Sequence, residues 1–228
     1  MAEGVLVAIE TSTGDGSLAA WRGGALVHEE PFAGGRGHNS ALFGPLGRAL
    51  AALGGAVPAR VLVGTGPGSY SGTRVGIAAA QGLGIVCGCP VTGVPSLLAT
   101  PEARAGAPSL AVGDARRGAW WTARVAPDGA LSGPDLCDAA ALEARVAAGQ
   151  AAREPVVAFD PPERLGVAAP LRAGIVSARP SAQGLLAAWL GMGEDQRRRL
   201  AAVPAEPCYL RPAHVTMAKP GHPLFRDR

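Results

Sequence analysis

The first part of the chain begins with three short segments that have the pattern of strands. Val5–Ile9 is a continuous apolar run, which is typical of a buried strand. Ser17–Trp21 and Ala25–Glu30 follow the turn signals Gly14-Asp15-Gly16 and Arg22-Gly23-Gly24. Short turns of this kind join neighbouring antiparallel strands, so the pattern predicts a three-stranded meander.

Helical and strand patterns alternate after the meander. The first helix is predicted to begin at Asn39 or Ser40, either of which can cap it, and to run to about Leu53. The next predicted elements are a strand, a helix, a strand and a short helix, at Arg60–Gly64, Thr73–Val86, Pro90–Val94 and from Ser96. This order predicts an α/β protein with a mixed sheet, in the ribonuclease-H-like arrangement that sugar kinases and actin share.

The second part of the chain has weaker patterns. A Pro- and Gly-rich stretch, Pro101–Pro108, predicts a boundary between a lobe at 1–103 and a second lobe with a tail at 104–228. Predicted strands lie at about Ser109–Asp114, Ala119–Val125 and Val156–Phe159, and predicted helices near Ala139–Ala148 and Ser181–Leu190. The second lobe is therefore expected to be a smaller, eroded copy of the first, and the tail from Glu206 to lie along the surface.

Composition narrows the class of protein. The 228 residues are 48% hydrophobic, which is enough for a core, and the net charge of +3 is too small to indicate nucleic-acid binding by itself. All but one of the basic residues are Arg, which reflects either coding bias or the use of Arg for phosphate contacts. The four cysteines lack zinc-site spacing, and the apolar run Val75–Val86 is too short to span a bilayer. We therefore expect a cytoplasmic protein without a bound metal and without a membrane segment.

The Gly-rich segment Gly64–Gly76 is the most distinctive motif. A loop of this kind between a buried strand and a helix can present backbone N–H groups to an anion. However, it lacks the Lys of a phosphate-binding P-loop and the glycine spacing of a dinucleotide site. The sequence alone leaves two interpretations open, a phosphate site and a tight structural turn.

Three other positions have both a chemical and a structural interpretation. Glu10, at the end of the first strand, is either an acid for metal-bound phosphate or a solvated strand end. Asp114 and Arg116 either face a cleft or form a salt-bridged turn. His38 is followed by Leu42 where a metal-binding HxxxH pair needs a second His, so we expect a capping or surface role for it.

Six blocks of the sequence, in order along the chain, resemble the TsaB (YeaZ-like) family. The most specific is Gly66–Gly76, which resembles that family's GPGSFTGLRIG. The others are Val7–Ser12, His38 with Leu42 to Pro45, Gly93–Leu97, Asp114–Arg116 with Trp120-Trp121, and Glu206–Pro212. Glu10 departs from the family's usual Asp, and the tail after Arg211 lacks the family's usual run of lysines.

The resemblance implies a function in tRNA modification. TsaB-like proteins have the actin-like ATPase fold and support a catalytic TsaD-like subunit, together with a TsaE-like ATPase. The complex transfers threonylcarbamoyl to the adenosine 3′ of the anticodon in tRNA. The implied role for this chain is that of a non-catalytic subunit that is a homodimer when alone. It implies no tightly bound cofactor, with ATP or ADP bound only in the complex, and tRNA reached through the complex.

The resemblance also directs attention to two sets of residues. After Arg74 the second helix has one polar side chain, Gln81, and a sheet covers only one side of a helix. The predicted partner interface comprises Leu42, Leu46, Leu50, Ile77, Ala78, Gln81 and Gly84. A vestigial nucleotide cleft would comprise Glu10, Thr11, Ser12, Gly66, Gly68, Ser69, Asp114 and Arg116.

Two other interpretations remain open at this stage. One is an active enzyme of the same fold, either a kinase-like ATPase or a glycoprotease-type peptidase. The other is a homodimeric scaffold that regulates a partner.

Overall fold

The computed structural model describes residues 4–33 and 41–211. Its first lobe contains a five-stranded sheet with two helices on one face. In chain order the elements are β1 Leu6–Glu10, β2 Asp15–Arg22, β3 Ala25–Ala33, α1 Phe43–Ala52, β4 Arg60–Gly64, α2 Tyr70–Cys87 and β5 Val91–Val94. The predicted cap of the first helix, Asn39 or Ser40, lies outside the described residues.

The first sheet has the strand order β3-β2-β1-β4-β5. β2 pairs antiparallel with β1 and β3, which confirms the predicted meander, and β4 and β5 continue the sheet in parallel with β1. All five residues of β1 are buried because both faces of this central strand are covered. The carboxyl ends of the parallel strands β1 and β4, at Glu10 and Gly64, therefore lie at the same edge of the sheet.

The second lobe repeats this arrangement on a smaller scale. After short 3₁₀ turns at Ser96–Ala99 and Glu102–Arg104, its elements are β6 Ser109–Asp114, β7 Trp120–Val125, β8 Leu131–Cys137, α3 Ala139–Ala151, β9 Val156–Ala158, α4 Ala169–Arg172 and β10 Ile175–Ser177. The strand order, β8-β7-β6-β9-β10, matches that of the first sheet with the same strand directions. The predicted α/β fold with two mixed sheets, of the ribonuclease-H-like type, is confirmed.

Sequence patterns missed the two edge strands of the second sheet. β8 contains Gly133-Pro134, which is a turn signal in the sequence, and an edge strand tolerates it because only one side of the strand is paired. β10 has only three residues. The prediction also omitted α6, Glu194–Ala201, and began α2 three residues late, because Ser69 rather than a later residue caps that helix.

The last long apolar helix, α5 Ala182–Gly191, belongs to the second half of the sequence but packs on the first sheet. Its buried residues Leu185, Leu186 and Trp189 join one apolar cluster with Leu6 and Leu62 of the first lobe and with residues of the second sheet. A separate cluster lies beneath α1 and α2, and another lies beneath α3. The boundary between the two lobes at residues 103 and 104 remains a prediction from the sequence.

No helix within the described part of the chain combines the length and apolarity that a bilayer crossing requires.

Candidate functional site

The residues at the end of β1 form an internal hydrogen-bonded cluster. Glu10, Thr11 and Ser12 are all essentially buried. The backbone N–H of Ser12 donates to Glu10 Oε1 at 2.6 Å, and the Ser96 hydroxyl donates to Glu10 Oε2 at 2.8 Å. Both carboxylate oxygens therefore have protein donors, and the acid is part of the interior rather than a solvated strand end.

Burial controls the protonation of Glu10. Removal of the carboxylate from water raises its pKa above the ordinary value, and the hydrogen bonds from Ser12 and Ser96 oppose that rise in pKa only in part. Gly64, on the neighbouring strand, makes room for the acid, because a side chain at that position would collide with the carboxylate. The longer Glu in place of the family's usual Asp is thus accommodated by the absence of a Cβ on β4.

The loop after β4 closes against this cluster. The backbone N–H of Ser69 donates to the carbonyl of Ser12 at 2.6 Å, and the N–H of Gly66 donates to Ser96 Oγ at 3.0 Å. The Ser69 hydroxyl caps α2 by accepting from the N–H of Gly72 at 3.2 Å. These three N–H groups have protein acceptors, an arrangement that favours a structural turn over an anion site.

Glycine is required in this loop for two different reasons. Gly66 has φ of +86°, a conformation that other residues rarely adopt. Gly68 and Gly72 instead lie against the backbone carbonyls of Ser12 and Thr11, where a Cβ would collide. Gly68 also has a positive φ, +157°, whereas Gly72 is constrained by contact alone.

Asp114 and Arg116 form a local pair in the second lobe. The carboxylate of Asp114 accepts from the backbone N–H and the guanidinium of Arg116, both at 2.7 Å. Among residues 4–33 and 41–211, no hydrogen bond or ion pair joins either residue to Glu10, Thr11 or Ser12. Of the eight residues predicted for a cleft, six from the first lobe therefore form one cluster, and these two stand apart.

A segment near the end of the described chain, residues 205–211, connects the two groups, a role that no pattern in the sequence predicted. The backbone N–H of Cys208 donates to the carbonyl of Thr65 at 2.8 Å, and the ring of Tyr209 lies 5.6 Å from that of Tyr70. Arg211 reaches the second lobe, where its guanidinium donates to the carbonyl of Arg116 at 3.3 Å. The only signal in the sequence was the Glu206–Pro212 block, whose final residue lies outside the described range.

The helical face of the first lobe has an open apolar groove between α1 and α2. It encloses about 500 Å³. Every lining residue is apolar: Phe43, Leu46, Val75, Ala78, Ala79, Gly82, Leu83 and Val86. Beside it, Ile85 and Val86 are 83% and 84% exposed, which is unusual for large aliphatic residues on a helix.

The predicted interface residues divide between this face and the core. Leu42, Ile77 and Gly84 are buried inside the lobe itself, so they do not belong to a surface that a partner meets. Leu46 and Leu50 are half-buried on α1, and Ala78 and Gln81 are exposed on α2. Ile77 and Gly84 lie at helical spacing from the exposed Gln81, but their side of α2 turns toward the sheet, which the apolar sequence of the helix does not reveal.

Phe43, Ile85 and Val86 belong to the exposed apolar face, and the prediction missed them. Their apolar character was visible in the sequence, but exposure depends on how α1 and α2 pack on the sheet.

The described residues contain no group of three or more His, Cys, Asp or Glu side chains placed as metal ligands. His38 lies outside the described range.

Comparisons with known proteins place this fold and sequence in a family. The family model described as TsaD, tRNA N6-adenosine threonylcarbamoyltransferase, matches residues 31–158, more than half of the chain. Searching the curated proteins gave no significant match.

Two solved structures share the fold over almost the whole chain. One is described as an uncharacterized protein with similarity to the peptidase YeaZ from Pseudomonas aeruginosa; it is 23% identical, covers 92% of this chain and 100% of its own, and has a TM-score of 0.69. YeaZ from Pseudomonas aeruginosa is 20% identical, covers 91% and 100%, and has a TM-score of 0.65. Because the family model matches more than half of the chain, this chain belongs to the TsaD family, and it shares the YeaZ fold over almost its whole length.

Proposed function

We propose that this chain is a non-catalytic subunit required for threonylcarbamoyl transfer to the adenosine 3′ of the anticodon in tRNA. It acts in the cytoplasm by binding a TsaD-like catalytic subunit, together with a TsaE-like ATPase. The observation that carries the proposal is the exposed apolar groove between α1 and α2.

The groove has the properties of a protein-binding surface. Its lining is apolar throughout, and Phe43, Ile85 and Val86 are each more than 60% exposed. When a partner covers exposed apolar surface of this kind, the complex is stabilised by about 25 cal/mol for each Å² removed from water. The small residues Ala78, Ala79 and Gly82 allow close approach of a partner helix.

The same face would serve a homodimer when the chain is alone. A two-fold dimer uses one patch on both copies, so an apolar groove flanked by exposed apolar side chains is self-complementary. In the heterodimer, the paralogous catalytic subunit would then take the place of one of the two copies. A specific interface of this type buries about 1,200–2,000 Å² in total.

The buried cluster of Glu10, Thr11 and Ser12 at the end of β1 favours a structural role for these residues over a catalytic one. Glu10 is buried and has both oxygens occupied by Ser12 and Ser96, so it is held in place as an interior group. The loop N–H groups of Gly66, Ser69 and Gly72, which could otherwise bind a phosphate, have acceptors within the protein. We therefore propose that the isolated chain has no tightly bound cofactor and that ATP or ADP binds only in the complex.

Reconstitution of tRNA modification tests the proposal. The catalytic subunit and the ATPase are incubated with unmodified tRNA, threonylcarbamoyl-adenylate and ATP, with and without this chain. We expect modified adenosine only when the chain is present. Modification at the same rate without the chain would overturn the proposal.

Assays of the purified chain alone address the enzyme alternative. We expect no hydrolysis of ATP or peptide, no tRNA modification and no stoichiometric metal by elemental analysis. Turnover by the chain alone, or one tightly held zinc or iron per chain, would instead favour an active enzyme.

A further inference from the structure

The segment 205–211 crosses from the first lobe to the second, and its Tyr209 and Arg211 join a row of arginine and tyrosine side chains from both lobes. In the first lobe, the Arg74 guanidinium lies 5.2 Å from the centre of the Tyr70 ring and donates to its hydroxyl at 3.1 Å. The ring of Tyr209 follows, 5.6 Å from that of Tyr70 and tilted by 42°. Arg211 then contacts Arg116 in the β6–β7 turn.

The row remains accessible although its members touch one another. Tyr70 and Tyr209 are 61% and 54% exposed, and the side chain of Arg116 is 67% exposed. Because more than half of each tyrosine is open to solvent, both rings are accessible to a ligand. We call these residues, with Arg117, the arginine–tyrosine row: Arg74, Tyr70, Tyr209, Arg211, Arg116 and Arg117.

The β6–β7 turn holds its two arginines in a costly conformation. Arg116 and Arg117 have φ of +65° and +55°, the left-handed region that non-glycine residues rarely adopt. Asp114 fixes Arg116 by two hydrogen bonds. Arg117 is exposed and has no ion pair with another described residue. Backbone strain of this kind is common at ligand-binding sites, which points to a role for the two guanidinium groups.

We propose that the arginine–tyrosine row binds an unpaired strand of tRNA directly. Aromatic side chains interleaved with arginines suit a single-stranded nucleic acid, because bases stack on the rings and guanidinium groups contact phosphates. This inference rests on the proposed function, which supplies tRNA as the RNA. It adds that this chain itself contacts the anticodon arm.

The observations favour a strand over a free nucleotide. A nucleotide site needs an enclosed pocket with free donors for phosphate, whereas Glu10, Thr11 and Ser12 are buried beneath the Gly66–Gly72 loop. The row is instead an extended, open surface that spans both lobes. The acids nearby are Asp114, Asp160 and Glu206, so the local charge is close to balanced, and stacking supplies the larger part of the affinity.

Fluorescence anisotropy with a labelled tRNA anticodon stem-loop tests this inference, with the full chain alone and in its complex with the TsaD-like subunit. Tyr209→Ala should weaken binding about tenfold, since one base stack is worth about 5- to 150-fold in affinity. Tyr209→Phe keeps the ring and should bind within about twofold of wild type. Arg117→Glu should weaken binding and reduce the slope of log affinity against log salt by about 0.7.

Arg199→Glu is the matched control for charge. Arg199 is exposed on α6, whose neighbours Arg198 and Ala201 lie beside Gly4 and Ala59 near the start of β1 and β4, the end of the sheet remote from Glu10. We expect this variant to bind RNA like wild type. Equal weakening by Arg199→Glu and Arg117→Glu, wild-type binding by Tyr209→Ala, or displacement of the RNA by equimolar ATP would each overturn the inference.

Failure of this inference can be told apart from failure of the proposed function. If Tyr209→Ala and Arg117→Glu bind RNA like wild type while reconstitution still needs the chain, only the contact with RNA is wrong. If reconstitution proceeds without the chain, the proposed function itself is wrong. Co-purification of each variant with the partner excludes loss of complex as the cause.

Discussion

The two lobes have the same strand order but carry very different helices. In the first lobe the helix after the fourth strand, α2, has 18 residues; in the second, the corresponding α4 has four. The open apolar groove lies on the longer helix and its neighbour α1. The strand order, which both lobes share, therefore does not account for the groove. The long helix α2, packed beside α1, accounts for it.

The acids at corresponding strand ends also differ. Glu10 ends β1 and is buried with a raised pKa, whereas Asp114 ends β6, keeps 18% of its side chain exposed and pairs with Arg116. The difference follows from what covers each position. The Gly66–Gly72 loop and Ser96 enclose Glu10, while Asp114 borders an exposed turn. One position thus became part of the core and the other part of the surface.

The largest expected effect is on partner binding, and it distinguishes the helical surface of the first lobe from that of the second. Ala78→Glu places a carboxylate in the apolar groove, where a partner would leave it buried and unpaired. We expect association with the TsaD-like subunit to weaken by about 2–5 kcal/mol, measured by co-purification and titration. Circular dichroism should be unchanged, because Ala78 is exposed in the free chain.

Ala144→Glu provides the matched control on the second lobe, on the exposed side of α3. It should bind the partner like wild type. If Ala78→Glu also binds with wild-type affinity, the groove is not the partner surface.

The next effect concerns the loop that encloses Glu10. Gly72→Val forces side-chain atoms against the carbonyl of Thr11 and the Ser69 hydroxyl. Overpacking of this kind costs about 1–3 kcal/mol, so Tm should fall by roughly 2–12 °C in thermal denaturation of the free chain. Gly191→Val, at the exposed end of α5 and away from the groove, has no neighbour near the new Cβ and should leave Tm unchanged. An unchanged Tm for Gly72→Val combined with lost tRNA modification would indicate a binding role for the loop.

Glu10 should make stability depend on pH in a defined direction. Its folded pKa is raised, so the folded state keeps a proton that the unfolded state releases. Wild-type stability should therefore fall by up to about 1.4 kcal/mol per pH unit as pH rises from the ordinary carboxyl pKa to the raised value. Glu10→Gln keeps the shape without the charge and should lack this dependence. Parallel curves of unfolding free energy against pH for the two proteins would contradict the assignment.

The smallest effect is expected for Asp114, the corresponding acid of the second lobe. Asp114→Asn removes its charge pair with Arg116, whose side chain is mostly exposed. An exposed pair contributes about 0–1 kcal/mol, so denaturant unfolding should show a change no larger than this. A loss of several kcal/mol would mean that the two strand-end acids have equivalent roles.

Part of this architecture could be predicted from local patterns. The apolar run of β1, the turns after it and the helical spacing of α2 each predicted an element that the structure confirms. The strands β8 and β10 could not be predicted, because an edge strand buries little and tolerates Gly-Pro, and a three-residue strand has no readable period. The position of α5 on the first sheet is a long-range contact that no local pattern contains.

The candidate sites, like the fold, could be predicted only in part from local sequence patterns. The sequence by itself determined which residue types are present: an acid after β1, glycines in the following loop and an apolar second helix. Only the tertiary structure decided that Glu10 is enclosed, that Ile77 and Gly84 face inward while Ile85 and Val86 face outward, and that Tyr209 meets Tyr70. Each of those outcomes depends on which surfaces cover a residue, and that covering comes from segments distant in the chain.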